Sequence, residues 1–242
     1  MQCIIDQGYD YKQAVPKIIA GRTFDYGIIC SGEQSFICPE ADYEHILSEF
    51  EKNGAYIVKD EEEAERLRNV LFEEGKPNRH SVGQSPQKIA EMAGISLPEG
   101  TRVIVAQAKG TAGSDLFGKE KMAPVIASYK YRTFEEGVEI AEANLSVEGK
   151  GHSVAIHSDN IRHIEYAGEK LSVSRFVVNQ TCASTAGGSF YNGLAPTNTL
   201  GCGSWGHNSI SENLDFKHLR NVSRIAYFMK DNHVPDREEL WG

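Results

Sequence analysis

Short β-rich runs alternate with amphipathic helical runs along most of this 242-residue chain. That alternation restricts the fold more than any other feature. Short β-rich runs, separated by amphipathic runs with a period near 3.6, specify β-α-β units whose strands lie parallel. Strands are predicted at Cys3–Ile5, Gln34–Cys38, Ala55–Val58, Arg102–Ala106, Val125–Tyr131, His152–Ile156, Phe176–Val178 and Arg224–Phe228. Helices are predicted at Tyr9–Gly21, with Pro16 inside, and at Ala41–Asn53 and Asp60–Glu74. Two more run from Ser85 to Gly94 and from Thr133 to Leu145. Ser85-Pro86 supplies an N-cap and a first-turn proline, and Thr133-x-x-Glu136 reads as a capping box. The expected class is α/β, with a substantially parallel sheet flanked by helices.

Composition removes several functions. Hydrophobic residues make up 40% and charged residues 24%, which suits a chain with a packed core. A net charge of -9 argues against a nucleic-acid partner, whose affinity would come from basic surface. No apolar run reaches the length of a membrane helix, so no membrane partner is expected. The first residues, Met1-Gln2-Cys3-Ile4-Ile5-Asp6, lack the basic and apolar regions of a signal peptide. Five cysteines without a C-x-x-C pair predict neither a disulfide framework nor a zinc site. Free thiols point to a cytoplasmic location. Neither G-x-G-x-x-G after a strand nor a P-loop is present, so no phosphate-cradling turn lies in these residues.

Two segments carry the candidate chemistry. In Thr23 to Ser35, Cys30 lies between Gly27 and Gly32, after a helix and before a strand. Glycines let backbone and substrate approach closely, and such a turn can aim N–H groups at an oxyanion beside the sulfur. A buried structural cysteine fits the same local pattern. Asn179 to Asn213 lacks periodicity and is rich in Gly, Ser, Thr and Asn. A loop of that length in a compact domain is usually functional. The acidic run Asp60–Glu63 reads as a solvated helix start.

These residues match a family. Phe24-Asp25-x-Gly27-x-x-Cys30-x-x-Glu33-Gln34-Ser35 resembles the nucleophile motif of CoA-acylating aldehyde dehydrogenases. That family includes the aldehyde dehydrogenase half of bifunctional aldehyde–alcohol dehydrogenases and acylating succinate-semialdehyde dehydrogenases. The resemblance continues in order through Val82-Gly83-Gln84, Ile89-Ala90-x-x-Ala93-Gly94, Glu120-Lys121-Met122-Ala123-Pro124-Val125 and Gly151-His152-Ser153. It ends with Leu194-Ala195-Pro196 and with Thr199 to Ser209, which includes Gly201-Cys202-Gly203-Ser204-Trp205-Gly206.

The resemblance implies a fold and a reaction. The fold is the aldehyde dehydrogenase catalytic domain, with the long Gly-rich segment on the active-site wall. Cys30 attacks an aldehyde to form a thiohemiacetal, NAD or NADP takes the hydride, and coenzyme A takes the acyl group from the resulting thioester. Glu120 is placed to hold the nicotinamide ribose, and a carboxylate suits a diol. Gly203 is a candidate for close cofactor approach. Met122 stands where related enzymes often carry an aromatic against the nicotinamide. His152 and His207 are candidates for polar groups near the CoA or aldehyde path, but are read by default as structural. Cys38 and Cys182 read as inert, and Cys202 as lining the pocket without reacting. A free cysteine with a pKa near 8.5 is only about 3% thiolate at pH 7, so the site must lower that pKa or position the thiolate. Arg22 is the nearest cation in sequence.

The resemblance also implies an organisation. Residues 1–220 form the catalytic domain, and residues 221–242 a C-terminal strand and tail used in oligomerisation. The Rossmann-like nucleotide-binding half of the family is expected to be absent. The expected partners are a small aldehyde or acyl-CoA, and a second copy or a complementing nucleotide-binding half. On this basis the chain alone should bind NAD weakly or not at all. The alternative is a non-catalytic remnant or oligomerisation module. Acetaldehyde, succinate semialdehyde and sulfoacetaldehyde all remain open as substrates.

Overall fold

The structure, a computed structural model, describes all 242 residues. In chain order the first half contains β1 (Gln2–Ile5), α1 (Tyr11–Thr23), β2 (Ser35–Pro39), α2 (Tyr43–Lys52), β3 (Ala55–Ile57), α3 (Glu61–Leu71), β4 (Phe72–Glu73), β5 (Lys76–Pro77) and α4 (Pro86–Ala93). The second half contains β6 (Val103–Gln107), β7 (Val125–Tyr131), α5 (Phe134–Val147), β8 (Gly151–His157), α6 (Ile161–Lys170), β9 (Val173–Val178), α7 (Cys182–Thr185) and α8 (Arg237–Trp241). Seven strands form one sheet in the order β3-β6-β7-β2-β1-β8-β9. Every pairing within it is parallel.

Strand alternation divides the core into two layers. Cys3, Ile5, Phe36, Cys38, Val103 and Val105 face α1 and α2, where Val15, Ile18, Ile19, Ile46 and Phe50 are fully buried. Ile4, Ile37, Ile104 and Ala106 face the opposite way, against Leu67 of α3, Ile89 of α4 and Val138 and Ala141 of α5. Successive side chains of a strand point to opposite faces, so a central strand covered by helices is apolar at every position. This explains why short apolar runs, rather than strict alternation, marked the strands.

The predicted N-caps form. Asp60, Ser85 and Thr133 each accept a backbone N–H from the third residue beyond. The capping box at Thr133 closes differently, since Glu136 accepts from Arg132 N rather than from Thr133 N. Three elements differ from expectation. Helix α3 stops at Leu71 because Phe72–Glu73 turns back to pair with Lys76–Pro77. The hairpin turn uses Glu74 at φ 51° and Gly75 at φ 73°, both left-handed, as a tight two-residue turn requires. Helix α6 was not anticipated, for its apolar stripe is short and only Ala167 is fully buried. The strand expected at Arg224–Phe228 does not form. That run has no regular structure, and every residue from Leu219 to Gly242 is exposed. A β-prone sequence needs a neighbouring strand to satisfy its backbone, and none lies beside it here.

Parallel pairing puts all strand starts at one edge. The starts of β7, β2, β1 and β8 are therefore neighbours, although they lie far apart in sequence. Ligands of open α/β sheets usually sit at the opposite, carboxyl edge.

Candidate active site

Cys30 sits five residues before β2, in the turn that follows α1. The turn is strained by left-handed backbone at Asp25 (φ 47°) and Tyr26 (φ 49°). Gly27 continues it at φ 78°, and a Cβ there would lie 2.6 Å from the Ala123 carbonyl. Glycine thus lets the nucleophile turn pack on the loop that carries Glu120. Arg22, fully buried, donates to the Gly27 carbonyl from Nη2. On the other side, Glu33 Oε1 accepts the Cys182 N–H at 2.7 Å, and Ser31 Oγ donates to the Ala183 carbonyl at 3.2 Å. These contacts clamp the turn to α7. Gly21 makes room for that clamp, since a Cβ there would strike the Glu33 carboxylate.

The strand starts bring the remaining groups to the sulfur. His152, second residue of β8, places Nε2 3.2 Å from Cys30 Sγ. Its Nδ1 lies 2.7 Å from Ser153 Oγ. Arg175 of β9 is buried behind it and donates from Nη2 to the His152 carbonyl at 2.8 Å. Arg175 Nη1 also reaches Asn213 Oδ1 at 3.4 Å, and Asn213 Nδ2 donates to the carbonyls of Ala186 and Ala195. The Gly-rich segment is stapled in this way to the strand that carries His152.

Two cavities meet at the Cys30–His152 pair. One, of about 110 Å³, is lined by Gln34, Glu120 and Glu148 as well as by the pair. The other, of about 500 Å³, is walled by Phe24, Ile29, Ala183, Gly187, Thr197 and Leu200. The long aperiodic segment therefore does form a wall of the site, as expected. The first cavity carries two carboxylates, and the second is neutral, lined by apolar side chains and by the hydroxyl residues Ser31, Ser184 and Thr197.

The electrostatics favour a resting thiol. Although Cys30 is exposed as a residue, partial desolvation of its sulfur, with the Glu120 carboxylate adding to it, pushes the thiol above its ordinary value, against the pull of the Cys30 and Ser31 backbone N–H groups. Burial, and the positive charge of Arg175, hold His152 down to about 4. The site does not lower the thiol pKa. It provides a neutral imidazole in contact with the sulfur instead, which can take the proton as attack occurs.

Of the residues singled out from sequence, Cys30 and Glu120 share one cavity. Gly203 lies apart. Its N–H is taken by the Ile210 carbonyl and Asn208 Oδ1, and it lines neither cavity. Cys202, expected on the pocket wall, lies behind it and packs on Gly151. His207 and Met122 also stand off both walls. Met122 adopts a left-handed φ of 47°. The contact of His152 with Cys30 was not anticipated, since it depends on the strand order. All five cysteines are free; Cys30 is exposed and Cys202 partly so, while Cys3, Cys38 and Cys182 are buried. Limited iodoacetamide treatment should therefore label Cys30 first, and peptide mapping that finds Cys202 or Cys38 labelled ahead of it would contradict this assignment.

Succinate-semialdehyde dehydrogenase (acetylating) of Clostridium kluyveri is 57% identical over 241 residues, which is 100% of this chain and 53% of that protein. An acetylating aldehyde dehydrogenase from Geobacillus thermoglucosidasius superposes with a TM-score of 0.89 at 34% identity, covering 98% of this chain and 52% of that one. The chain belongs to the acylating aldehyde dehydrogenase family. The bifunctional aldehyde-alcohol dehydrogenase of Escherichia coli matches 92% of the chain at 37% identity, over 25% of its own length. The chain spans about half the length of the first of these relatives. No family model matches it. The matched half of the Geobacillus enzyme therefore shares the seven-stranded parallel sheet described above.

Proposed function

We propose that this chain performs the cysteine chemistry of an NAD(P)-dependent, CoA-acylating aldehyde dehydrogenase. The observation that supports it most is the 3.2 Å contact between Cys30 Sγ and His152 Nε2 at the junction of two cavities. The Cys30 sulfur bonds to the aldehyde carbon while its proton moves to His152 Nε2. The larger neutral cavity holds the acyl chain. NAD or NADP, when bound, supplies the hydride acceptor that turns the thiohemiacetal into a thioester. The acidic cavity suits the nicotinamide ribose, because Glu120 and Glu148 offer carboxylate acceptors for its hydroxyls. A CoA thiol then attacks the thioester carbon and releases the Cys30 sulfur. The substrate class is a small aldehyde, and a reducing cytoplasm suits the exposed thiol.

The second half of this cycle can be followed on this chain. Incubation with a short acyl-CoA and free pantetheine should yield acyl-pantetheine through Cys30. Transfer no faster than in the absence of protein would contradict the reading.

A second copy of the chain is the proposed partner for residues 221–242. Ile225, Tyr227 and Phe228 are 80%, 82% and 86% exposed. Strand β9 is paired only with β8, so its other edge is open. A β-prone segment and an open edge favour pairing between chains. Light scattering at micromolar concentration should give a dimer or larger species, which Phe228→Lys weakens without unfolding the body. A 26.8 kDa monomer would contradict this.

A further inference from the structure

Ser153 lies against the imidazole that contacts the nucleophile, and nothing in the reaction described above uses it. Its Oγ is 2.7 Å from His152 Nδ1, while Nε2 of the same ring faces Cys30 Sγ at 3.2 Å. Ser153 is fully buried on β8, so its hydroxyl cannot exchange this contact for water. That hydroxyl also meets two sulfur atoms, Met1 Sδ at 4.0 Å and the Cys182 thiol. Sulfur is a weak hydrogen-bond acceptor. The Ser153 proton can rest on sulfur, which leaves the oxygen lone pairs for the ring. A neutral imidazole has one N–H, and the partner of one nitrogen decides which nitrogen is the base.

We propose that Ser153 is the positioning residue of a Cys30–His152–Ser153 relay: its Oγ accepts the Nδ1–H and so presents an unprotonated Nε2 to the Cys30 thiol. The inference rests on the reading of Cys30 as nucleophile and His152 as its base. When the S–C bond forms, the S–H bond breaks and its proton moves to Nε2. The ring then carries an N–H on both nitrogens, and Ser153 Oγ keeps the one on Nδ1. In acylation by acyl-CoA that proton passes on to the departing CoA thiolate; in the reverse step the attacking CoA thiol gives its proton to Nε2, which returns it to the Cys30 sulfur as the acyl group leaves. Cys30 from the nucleophile turn, Arg175 from β9 and the Met1 amino group lie around His152, and Glu120 and Glu148 share its smaller cavity. Arg175 has only donors, Cys30 meets the other ring nitrogen, and Ser153 Oγ is the hydrogen-bond partner of Nδ1. A buried Nδ1–H left without an acceptor would disfavour both the productive tautomer and the imidazolium.

The test compares wild type, Ser153→Ala and Ser153→Thr in two reactions of Cys30. The first is acylation by a short acyl-CoA at pH 7, followed by intact mass. Ser153→Ala should slow it about 10–100-fold, and Ser153→Thr should recover most of the loss. The second is iodoacetamide alkylation at pH 10, where the thiolate reacts without a base. All three proteins should alkylate at the same rate. Acylation unchanged in Ser153→Ala would overturn the proposal. So would an equal loss of alkylation at pH 10, which would show that the cysteine itself had moved. If wild type does not acylate at Cys30, the underlying reading of Cys30 and His152 fails instead.

Discussion

Cys30→Ala is expected to abolish acyl transfer from a short acyl-CoA, with a fall of about 10⁴-fold or more. No other thiol can substitute. Cys3 and Cys182 are fully buried, and burial pushes both well above their ordinary values, Cys182 to about 12. Cys38 is fully buried and likewise shifted upward by burial. Cys202 lines neither cavity at the site. The alanine variant should keep its fold, because Cys30 is exposed and the turn is held by Arg22, Ser31 and Glu33 rather than by the sulfur. Circular dichroism checks the fold, and pantetheine exchange reads the activity. Retention of more than about a tenth of the wild-type rate would mean that the acyl group travels by another residue.

His152→Gln should produce the second-largest effect, a loss of about 10²–10³-fold at pH 7, together with a changed pH profile. His152, held down to about 4 by burial, is neutral and able to accept a proton at any pH above that value. The wild-type rate of Cys30 acylation should therefore be nearly flat across neutral pH and fall only as pH drops through about 4. Glutamine preserves the size and polarity of the side chain but not its basicity. The variant depends on free thiolate, and the Cys30 thiol is pushed above its ordinary value. Its rate should climb by about tenfold per pH unit across the neutral range. Parallel profiles for the two proteins would show that His152 is not the base.

What was legible in the sequence was what local pattern controls. Strands of the central sheet announced themselves because both faces are covered, so Val125–Tyr131 has six of seven residues buried. Asp60, Ser85 and Thr133 marked helix starts because an N-cap is a local hydrogen bond. The helix predicted over Asp60–Glu74 stops early, at Leu71, since Glu74 and Gly75 take the left-handed conformations of a hairpin turn. Arg224–Phe228 was misread as a strand because β-propensity describes a fit to a pleated neighbour, and the sequence does not say whether the neighbour is present.

The site divides along the same line. Cys30 was singled out by its glycine-flanked turn together with the family motif, and the structure packs Gly27 of that turn against the Ala123 carbonyl. Its partner was not, for His152 lies 122 residues away and arrives only through the β2-β1-β8 order. Arg175 and Asn213 were silent for the same reason, since a buried guanidinium on a strand has meaning only beside the carbonyls it holds. Glu120 was legible through its motif, and the structure gives it a cavity shared with the sulfur.

The central claim is that Cys30, assisted by His152, carries the acyl group. Incubating the chain with a short acyl-CoA at pH 7, then quenching in acid and mapping the peptides by mass spectrometry, tests it most directly. One acyl group per chain, located on Cys30 and lost on addition of free CoA, is the predicted result. An unmodified Cys30, or an acyl group on another residue, would contradict it.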